Sequence, residues 1–169
     1  MQMCSRLSRR QFVKYSSFGA VYAASSSISC GVLAQTLQRV LPESKSLIAE
    51  IAQSLKTSKP LIVLVSLDNC PFCKISRENY LIPLSREQSL QVVQVNIGHA
   101  TANVDARGKR TTQAELIKSW NINAAPTVLF LGKSGQEIAP RLVGGTTSDF
   151  YGAYLQERVD LAIKILKSA

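Results

Sequence analysis

The 169-residue sequence contains a single histidine and only four cysteines, and only 18% of its residues are charged. A tetrahedral zinc site needs four ligands, which one close cysteine pair and one distant histidine cannot supply. Low charge together with 46% apolar residues fits a folded protein and argues against extended disorder. The chain is too short for two domains of typical size and contains no internal repeat. We therefore expect one folded domain without a metal.

The excess of positive charge is partly concentrated at the N-terminus. The formal net charge is +9, and the first 34 residues contain no acid but carry four basic residues, namely Arg6, Arg9, Arg10 and Lys14. The rest of the chain keeps 16 basic and 11 acidic residues. Nucleic-acid binding requires a dense basic patch, usually within a recognisable module, and the sequence has neither. We therefore expect no nucleic-acid partner.

The N-terminus has the organisation of an export signal. Residues 8–14 read Ser-Arg-Arg-Gln-Phe-Val-Lys, which resembles the twin-arginine export motif, and residues 15–38 carry no charge. A basic segment, an apolar stretch and small residues at a cleavage site make a secretory signal, and the twin-arginine type is an address read by a receptor. Val32-Leu33-Ala34 offers a cleavage site. We predict a signal over 1–34, a linker over 35–42 and a periplasmic domain over 43–169.

Two alternatives for the N-terminus remain open. The uncharged run 15–38 is long enough to cross a bilayer of ~30 Å, so the signal could persist as an anchor. Cys30 could instead carry a lipid, although Ser27 stands three residues before it where a leucine is usual. In each case the domain lies outside the cytoplasm, and we expect membrane contact only if the signal is not cleaved.

The cysteines that remain after export form one Cys-x-x-Cys pair. Cys4 and Cys30 fall in the predicted signal, which leaves Cys70 and Cys73. An oxidising compartment permits a structural disulfide, but the stabilisation from cross-linking grows with the size of the loop that is closed. A ring of four residues stabilises little. The spacing therefore favours a bond that is made and broken.

Alternating helices and strands predict an α/β fold with a mixed sheet flanked by helices. The continuous apolar run 61–67 is typical of a central strand covered on both faces. Pro140 places the last strand at a sheet edge. The capping-box pattern at Thr112 and Glu115 opens a helix. Helices are predicted at 44–57, from Pro71 to about Tyr80 with Pro83 ending or kinking it, from Thr112 to about Trp120, and at 149–167; strands at 61–67, 91–97, 127–131 and 138–143; and a loop at 98–110.

The C-terminal helix is expected to bury an apolar stripe. Its members at helical spacing are Phe150, Tyr154, Val159, Ala162 and Leu166.

The cysteine pair follows the first central strand and starts a helix, and sites in open α/β sheets cluster at the carboxyl ends of strands. The predicted position of the cysteine pair in the fold therefore agrees with a role in making and breaking a disulfide.

The spacing of the cysteines suits disulfide exchange. With Cys70 at the helix N-cap and Pro71 at the first helical position, unpaired N–H groups and the helix dipole favour negative charge on the Cys70 sulfur. The thiolate is the attacking species, and cysteines in such positions have depressed pKa values. Cys73 follows almost one turn later, close enough to displace a mixed disulfide. Cys70 is the expected nucleophile and Cys73 the resolving thiol.

Cys70-Pro71-Phe72-Cys73 after an apolar strand and Ala125-Pro126-Thr127 before a later one resemble the two signatures of the thioredoxin fold. The resemblance covers about residues 43–167, including the order of elements. It implies that Pro126 is cis and faces the cysteines, and that the backbone of Ala125 binds substrate in an extended form. Pro71 and Phe72 are further expected substrate contacts. The export signal and the insertion at 98–110 resemble periplasmic thioredoxins of the sulfur-oxidation (SoxW-like) kind.

Three departures from thioredoxin bear on the direction of exchange. Asn69 stands where thioredoxin has tryptophan before the first cysteine, and Pro71-Phe72 where it has Gly-Pro between the pair. Leu64 stands where it has a buried acid, for which Asp68 or Glu78 could substitute. Strong oxidants of the DsbA type carry a histidine inside the motif that stabilises the thiolate. Phe72 cannot do so by charge. We therefore expect a reductant or mildly poised exchanger.

The expected partners are protein thiols or disulfides of the cell envelope and a redox partner that recharges the protein. No dissociable cofactor is expected, because the Cys70–Cys73 disulfide carries the electrons. The alternative is a Cu(I) or protein-thiol carrier that uses the same pair without turnover, since soft ligands suit Cu(I). His99 is expected to be a solvated loop residue.

Overall fold

The computed structural model describes residues 40–144 and 150–168, so the predicted signal lies outside the described residues. The elements follow the order expected from the apolar runs. They are α1 (Leu47–Leu55), β1 (Leu61–Ser66), α2 (Pro71–Ile75), a π-helical segment (Ser76–Leu81), α3 (Ile82–Glu87), β2 (Val92–Asn96), β3 (Ala102–Val104), β4 (Arg110–Thr112), α4 (Gln113–Ser119), β5 (Thr127–Leu131), a 3-10 turn (Lys133–Gly135), β6 (Glu137–Val143) and α5 (Tyr151–Ser168).

The main sheet is mixed, as predicted, with strand order β2-β1-β5-β6. β1 runs parallel to β2 and antiparallel to β5, and β6 returns antiparallel to β5 at the edge. All six residues of β1 are buried, because helices cover both faces of this central strand. Pro140 lies in the edge strand, where its missing N–H costs no hydrogen bond inside the sheet.

Two apolar clusters fill the space on either side of the sheet. On one side, Ile62 and Leu64 of β1 belong to a cluster with Leu81, Ile82 and residues of α5. On the other, Val63 and Val65 belong to a cluster that includes residues of α1 and α4. The alternation of side chains along β1 therefore divides one apolar run between two cores. Among the described residues, no helix has the length and apolar character needed to cross a membrane.

The helix after Cys73 continues beyond the predicted end at Tyr80. It runs through the π-helical segment into α3 and reaches Glu87, so Pro83 does not end it. The N–H of Ile82 bonds to the carbonyl of Arg77, five residues earlier, directly before the proline. Wide turns of this kind accompany helical irregularities at proline, because the normal hydrogen-bond ladder is already interrupted there.

The segment predicted as a loop over 98–110 contains part of a small hairpin. β3 and β4 pair antiparallel, with Ala102 opposite Thr112. Strands of three residues contain too few apolar positions to show an alternation in the sequence. Thr112 then caps α4: the Glu115 N–H donates to its Oγ1 at 3.2 Å, and its own N–H donates to Glu115 Oε2 at 3.0 Å. The predicted capping box is confirmed.

The predicted stripe of α5 is partly wrong. Val159 and Ala162 are buried and Leu166 is half-buried, but Phe150 and Tyr154 are exposed. Tyr151 and Leu155 are buried in their place. The apolar pairs at 150–151 and 154–155 allowed either register. Tyr151 contacts Ser76 and Tyr80 of the π-helical segment, and Leu155 belongs to the cluster on one side of the sheet, so the second residue of each pair is buried.

Candidate active site

Cys70 reaches the helix start through a tight turn at the carboxyl end of β1. After Ser66, the N–H of Cys70 donates to the carbonyl of Leu67 at 3.4 Å. Asn69 has a positive φ of 56°, a left-handed conformation that asparagine tolerates better than most residues. Cys70 is the N-cap of α2 and Pro71 its first residue, which confirms the predicted arrangement. The asparagine that departs from thioredoxin thus suits the local backbone.

Cys70 and Cys73 form a disulfide, with their Cα atoms 5.2 Å apart. The Cys73 N–H also donates to Cys70 Sγ at 3.1 Å. The two sulfurs differ in access, because Cys73 is only 1% exposed whereas Cys70 is half-buried. An incoming group therefore meets Cys70 first.

The proline segment lies beside β1 on the β5 side. Thr127 pairs with Val65, so Pro126 lies next to the end of β1. The peptide bond between Ala125 and Pro126 is cis, Pro126 is buried, and Ala125 is half-buried. The carbonyl of Pro126 accepts the Gly144 N–H at 2.9 Å, which ties this segment to the edge strand.

Apolar side chains are exposed around the cysteines. Phe72 is 46% exposed, Pro71 is exposed, and Leu67 and Ile75 also expose much of their surface. Phe72 therefore does not fill a gap in the core. Its ring is available to a substrate chain.

Position 64 carries no acid, and neither proposed substitute is buried. Leu64 is fully buried in the core, Asp68 is exposed, and Glu78 is half-buried. One turn beyond Cys73, the Ser76 hydroxyl donates to Tyr151 Oη at 3.1 Å in a buried contact. Burial raises the pKa of Tyr151 above its usual value, which keeps this phenol neutral.

A polar pocket of about 480 Å³ opens beside Cys70, on the β2 side of β1. Its lining comes from the ends of β1 and β2, the turn before Cys70 and the first turns of the helix; it includes Ser66, Asp68, Cys70, Pro71, Lys74, Arg77, Gln94 and Asn96. Ala125 and Pro126 do not line it. The sequence analysis did not identify this pocket.

A chain of hydrogen bonds forms part of the pocket wall. Arg77 Nη1 donates to Gln94 Oε1 at 3.0 Å, and Gln94 Nε2 donates to Asn96 Oδ1 at 2.7 Å. Asn96 Nδ2 in turn donates to Glu43 Oε1 at 2.9 Å. Gln94 and Asn96 are buried in β2 on the same face as Val92, where a covered strand would normally carry apolar side chains. The polar residues at the alternate positions 94 and 96 of the predicted strand are the sequence signal that could have indicated this polar wall.

His99 is hydrogen-bonded to the turn that precedes Cys70. Its Nε2 lies 2.9 Å from Asp68 Oδ2. The hydrogen bond that His99 donates to Asp68 raises the pKa of His99, because the carboxylate stabilises the charged imidazole. Among the described residues, no group of three or more histidine, cysteine, aspartate or glutamate side chains could hold a metal ion.

A family model described as a thioredoxin-like domain matches residues 47–158. The chain belongs to the thioredoxin-like family. This match spans the cysteine motif, the proline segment and all four strands of the main sheet. A comparison with curated protein sequences gave no significant match.

The chain is similar to several solved structures at low sequence identity. A thioredoxin-fold protein from Helicobacter pylori is 16% identical, with a TM-score of 0.50 over 79% of this chain and 96% of that one. Trxlp from Edwardsiella tarda is 26% identical over 70% and 95% of the two chains, with a TM-score of 0.46. Thioredoxin O2 from Arabidopsis thaliana is 16% identical over 69% and 95%, with a TM-score of 0.45. The first of these supports the thioredoxin fold.

Proposed function

We propose that the protein is a thiol–disulfide oxidoreductase of the cell envelope in which Cys70 attacks and Cys73 resolves. The unequal access of the two sulfurs carries this proposal, since Cys70 is half-buried and Cys73 almost fully buried. The Cys70 thiolate attacks one sulfur of a substrate disulfide, which forms a mixed disulfide and releases the other sulfur as a thiolate. Cys73 then attacks Cys70, closes the internal disulfide and releases the reduced substrate.

The backbone around Cys70 supports its role as nucleophile. The Cys73 N–H points at the Cys70 sulfur, and the start of the helix favours negative charge there. Ala125 and Pro126 on one side and the exposed Phe72 on the other are the proposed contacts for an extended substrate segment. Pro71 is exposed at the first helical position beside them.

Insulin reduction with a thiol reductant present tests the proposal. Cys70→Ser should abolish turnover, whereas Cys73→Ser should accumulate a mixed disulfide visible by mass spectrometry. The double variant Cys4→Ser, Cys30→Ser removes two cysteines outside the motif and should retain turnover. Stoichiometric Cu(I) uptake by the wild type without turnover would contradict the proposal and favour a carrier.

The proposed direction is reduction rather than strong oxidation. Phe72 brings no positive charge to the Cys70 thiolate. The reduced form therefore lacks the charge stabilisation that makes the disulfide of a strong oxidant oxidising. We expect a reduction potential of about −270 mV, as in thioredoxin, rather than about −120 mV. Equilibration with glutathione buffers measures it, and a value near the second figure would overturn this part of the proposal.

The proposed location is the periplasm, reached by the twin-arginine route. It is supported by residues 8–14 and the uncharged run 15–38. Replacing Arg9 and Arg10 by lysine should leave the protein in the cytoplasmic fraction, while Lys14→Gln should weaken export less. Export that is unaffected by loss of both arginines would contradict the route.

A further inference from the structure

The pocket beside Cys70 has a composition that the reaction of the cysteines alone does not explain. Its volume of about 480 Å³ lies within the range of small-molecule sites. Most such sites are largely apolar, whereas this one is lined by three carboxamides, a hydroxyl, one carboxylate and two cations. Cys70 itself is part of the lining. A group bound here would lie next to the reactive sulfur.

The charges that line the pocket are unevenly compensated. The carboxylate of Asp68 is paired with His99. Lys74 and Arg77, by contrast, form no ion pair with any carboxylate within residues 40–144 and 150–168. Arg77 is held in place by its bond to Gln94 but keeps its charge, and its Nε is buried without a hydrogen-bond partner among the described residues. Lys74 and Arg77 are therefore available to bind an anionic group of a substrate.

We propose that this pocket binds a carboxylate located within a few atoms of the sulfur that reacts with Cys70. The preferred substrate class is thus a thiol or disulfide compound with a carboxylate close to its sulfur. Lys74 supplies an exposed positive charge, and Arg77 supplies one that is held by its bond to Gln94. Gln94 and Asn96 offer polar surface. The inference rests on the proposed function and names the substrate class of the same site.

Two molecules of such a thiol would reduce the oxidised protein in two exchange steps. The incoming thiolate attacks Cys70 Sγ, forms a mixed disulfide and releases Cys73 as a thiolate. A second thiolate attacks the outer sulfur of that mixed disulfide and releases Cys70. One small-molecule disulfide leaves, and two electrons remain on the protein as its dithiol.

Matched pairs of thiols test the proposal. The rate of reduction of the Cys70–Cys73 disulfide is measured with 3-mercaptopropionate and with the neutral 2-mercaptoethanol, each corrected for its thiolate fraction. We expect the wild type to favour the carboxylated thiol by about fivefold, the size of one opposite-charge contact near a protein surface. This preference should shrink in high salt. A second pair uses peptides in which glutamate or glutamine flanks a single cysteine.

Two variants separate the pocket from general charge effects. Lys74→Gln should lower the ratio of the two corrected rates toward one, and the same result is expected for Arg77→Met. Lys164→Gln removes an equal charge on α5, away from this pocket, and should leave the preference unchanged.

The outcomes distinguish this inference from the proposed function. A preference in the small-thiol pair alone supports a low-molecular-weight ligand, and one in the peptide pair as well supports an acidic segment beside a cysteine. Equal rates with both members of each pair, or a preference that Lys74→Gln and Arg77→Met leave intact, overturn the inference but not the oxidoreductase. No reduction by any thiol overturns the proposed function itself.

Discussion

Replacing Phe72 by histidine tests whether the uncharged motif sets the redox behaviour of the Cys70–Cys73 pair. Phe72 lies between the cysteines and is 46% exposed, so the substitution disturbs little packing. A charged imidazole would stabilise the Cys70 thiolate but not the disulfide. Stabilising the reduced form makes the disulfide more oxidising. The reduction potential should therefore become less negative.

The size of this change follows from the exposure of position 72. Two unit charges about 5 Å apart attract by about 0.8 kcal/mol in water and about 3 kcal/mol at an effective dielectric constant near 20. A half-exposed side chain lies between these limits, because solvent screens the pair. For a two-electron couple, about 1.4 kcal/mol corresponds to 30 mV. We expect a rise of at most about 70 mV at about pH 5.5, where an ordinary imidazole is charged, because the two charges attract only to the extent that the Cys70 thiol is ionised.

The assay equilibrates each protein with glutathione buffers and traps free thiols for mass spectrometry. Phe72→Gln is the matched control, because it is polar but carries no charge. The two variants should differ at about pH 5.5 and agree near about pH 8, where the imidazole is neutral. Equal potentials at the lower pH, or a more negative value for Phe72→His, would refute the argument that charge at this position acts on the Cys70 sulfur.

Three further predictions concern stability and titration. Reduction of the Cys70–Cys73 disulfide should lower the free energy of unfolding by at most about 2 kcal/mol, the chain-entropy value for a four-residue ring, and urea unfolding with and without reductant measures it. The pKa of His99 is raised by Asp68, so its stabilising contribution should be complete below the unfolded value of 6.5 and be lost as the pH rises through the folded value; Asp68→Asn should lower the pKa seen by NMR, and an unchanged titration would contradict the pairing. Thr112→Ala should cost about 1 kcal/mol in urea unfolding, because it removes the N-cap of α4, whereas Thr112→Ser should cost less.

The elements that the sequence predicts best are those whose signal is local. The apolar run at 61–66 forms the central strand because every side chain there can be buried on one face or the other. The N-cap at Cys70 and the capping box at Thr112 depend on residues within one turn of each other. Such features need no knowledge of the rest of the fold.

The elements that the sequence misses depend on partners far along the chain. The hairpin of β3 and β4 is held partly by Asn103, whose Nδ2 donates to the Ser44 carbonyl at 2.9 Å. Nothing near Asn103 in the sequence indicates that contact. The same applies to α5, where Tyr151 rather than Phe150 is buried and contacts Ser76 and Tyr80 of the π-helical segment. Local pattern leaves both choices open.

The same distinction between local and distant contacts decides which parts of the candidate site the sequence can predict. The motif at Cys70 and Cys73 is contiguous, so its chemistry can be derived from spacing alone. The pocket instead combines Arg77 from the helical segment with Gln94 and Asn96 from β2, and it exists because β2 lies beside β1 in the sheet. Pro126 approaches the same strand from the β5 side. Strand order therefore gives Cys70 two different flanks, the proline segment on the β5 side and the pocket with Lys74 and Arg77 on the β2 side, and a substrate that engages both would be held on either side of its reacting sulfur.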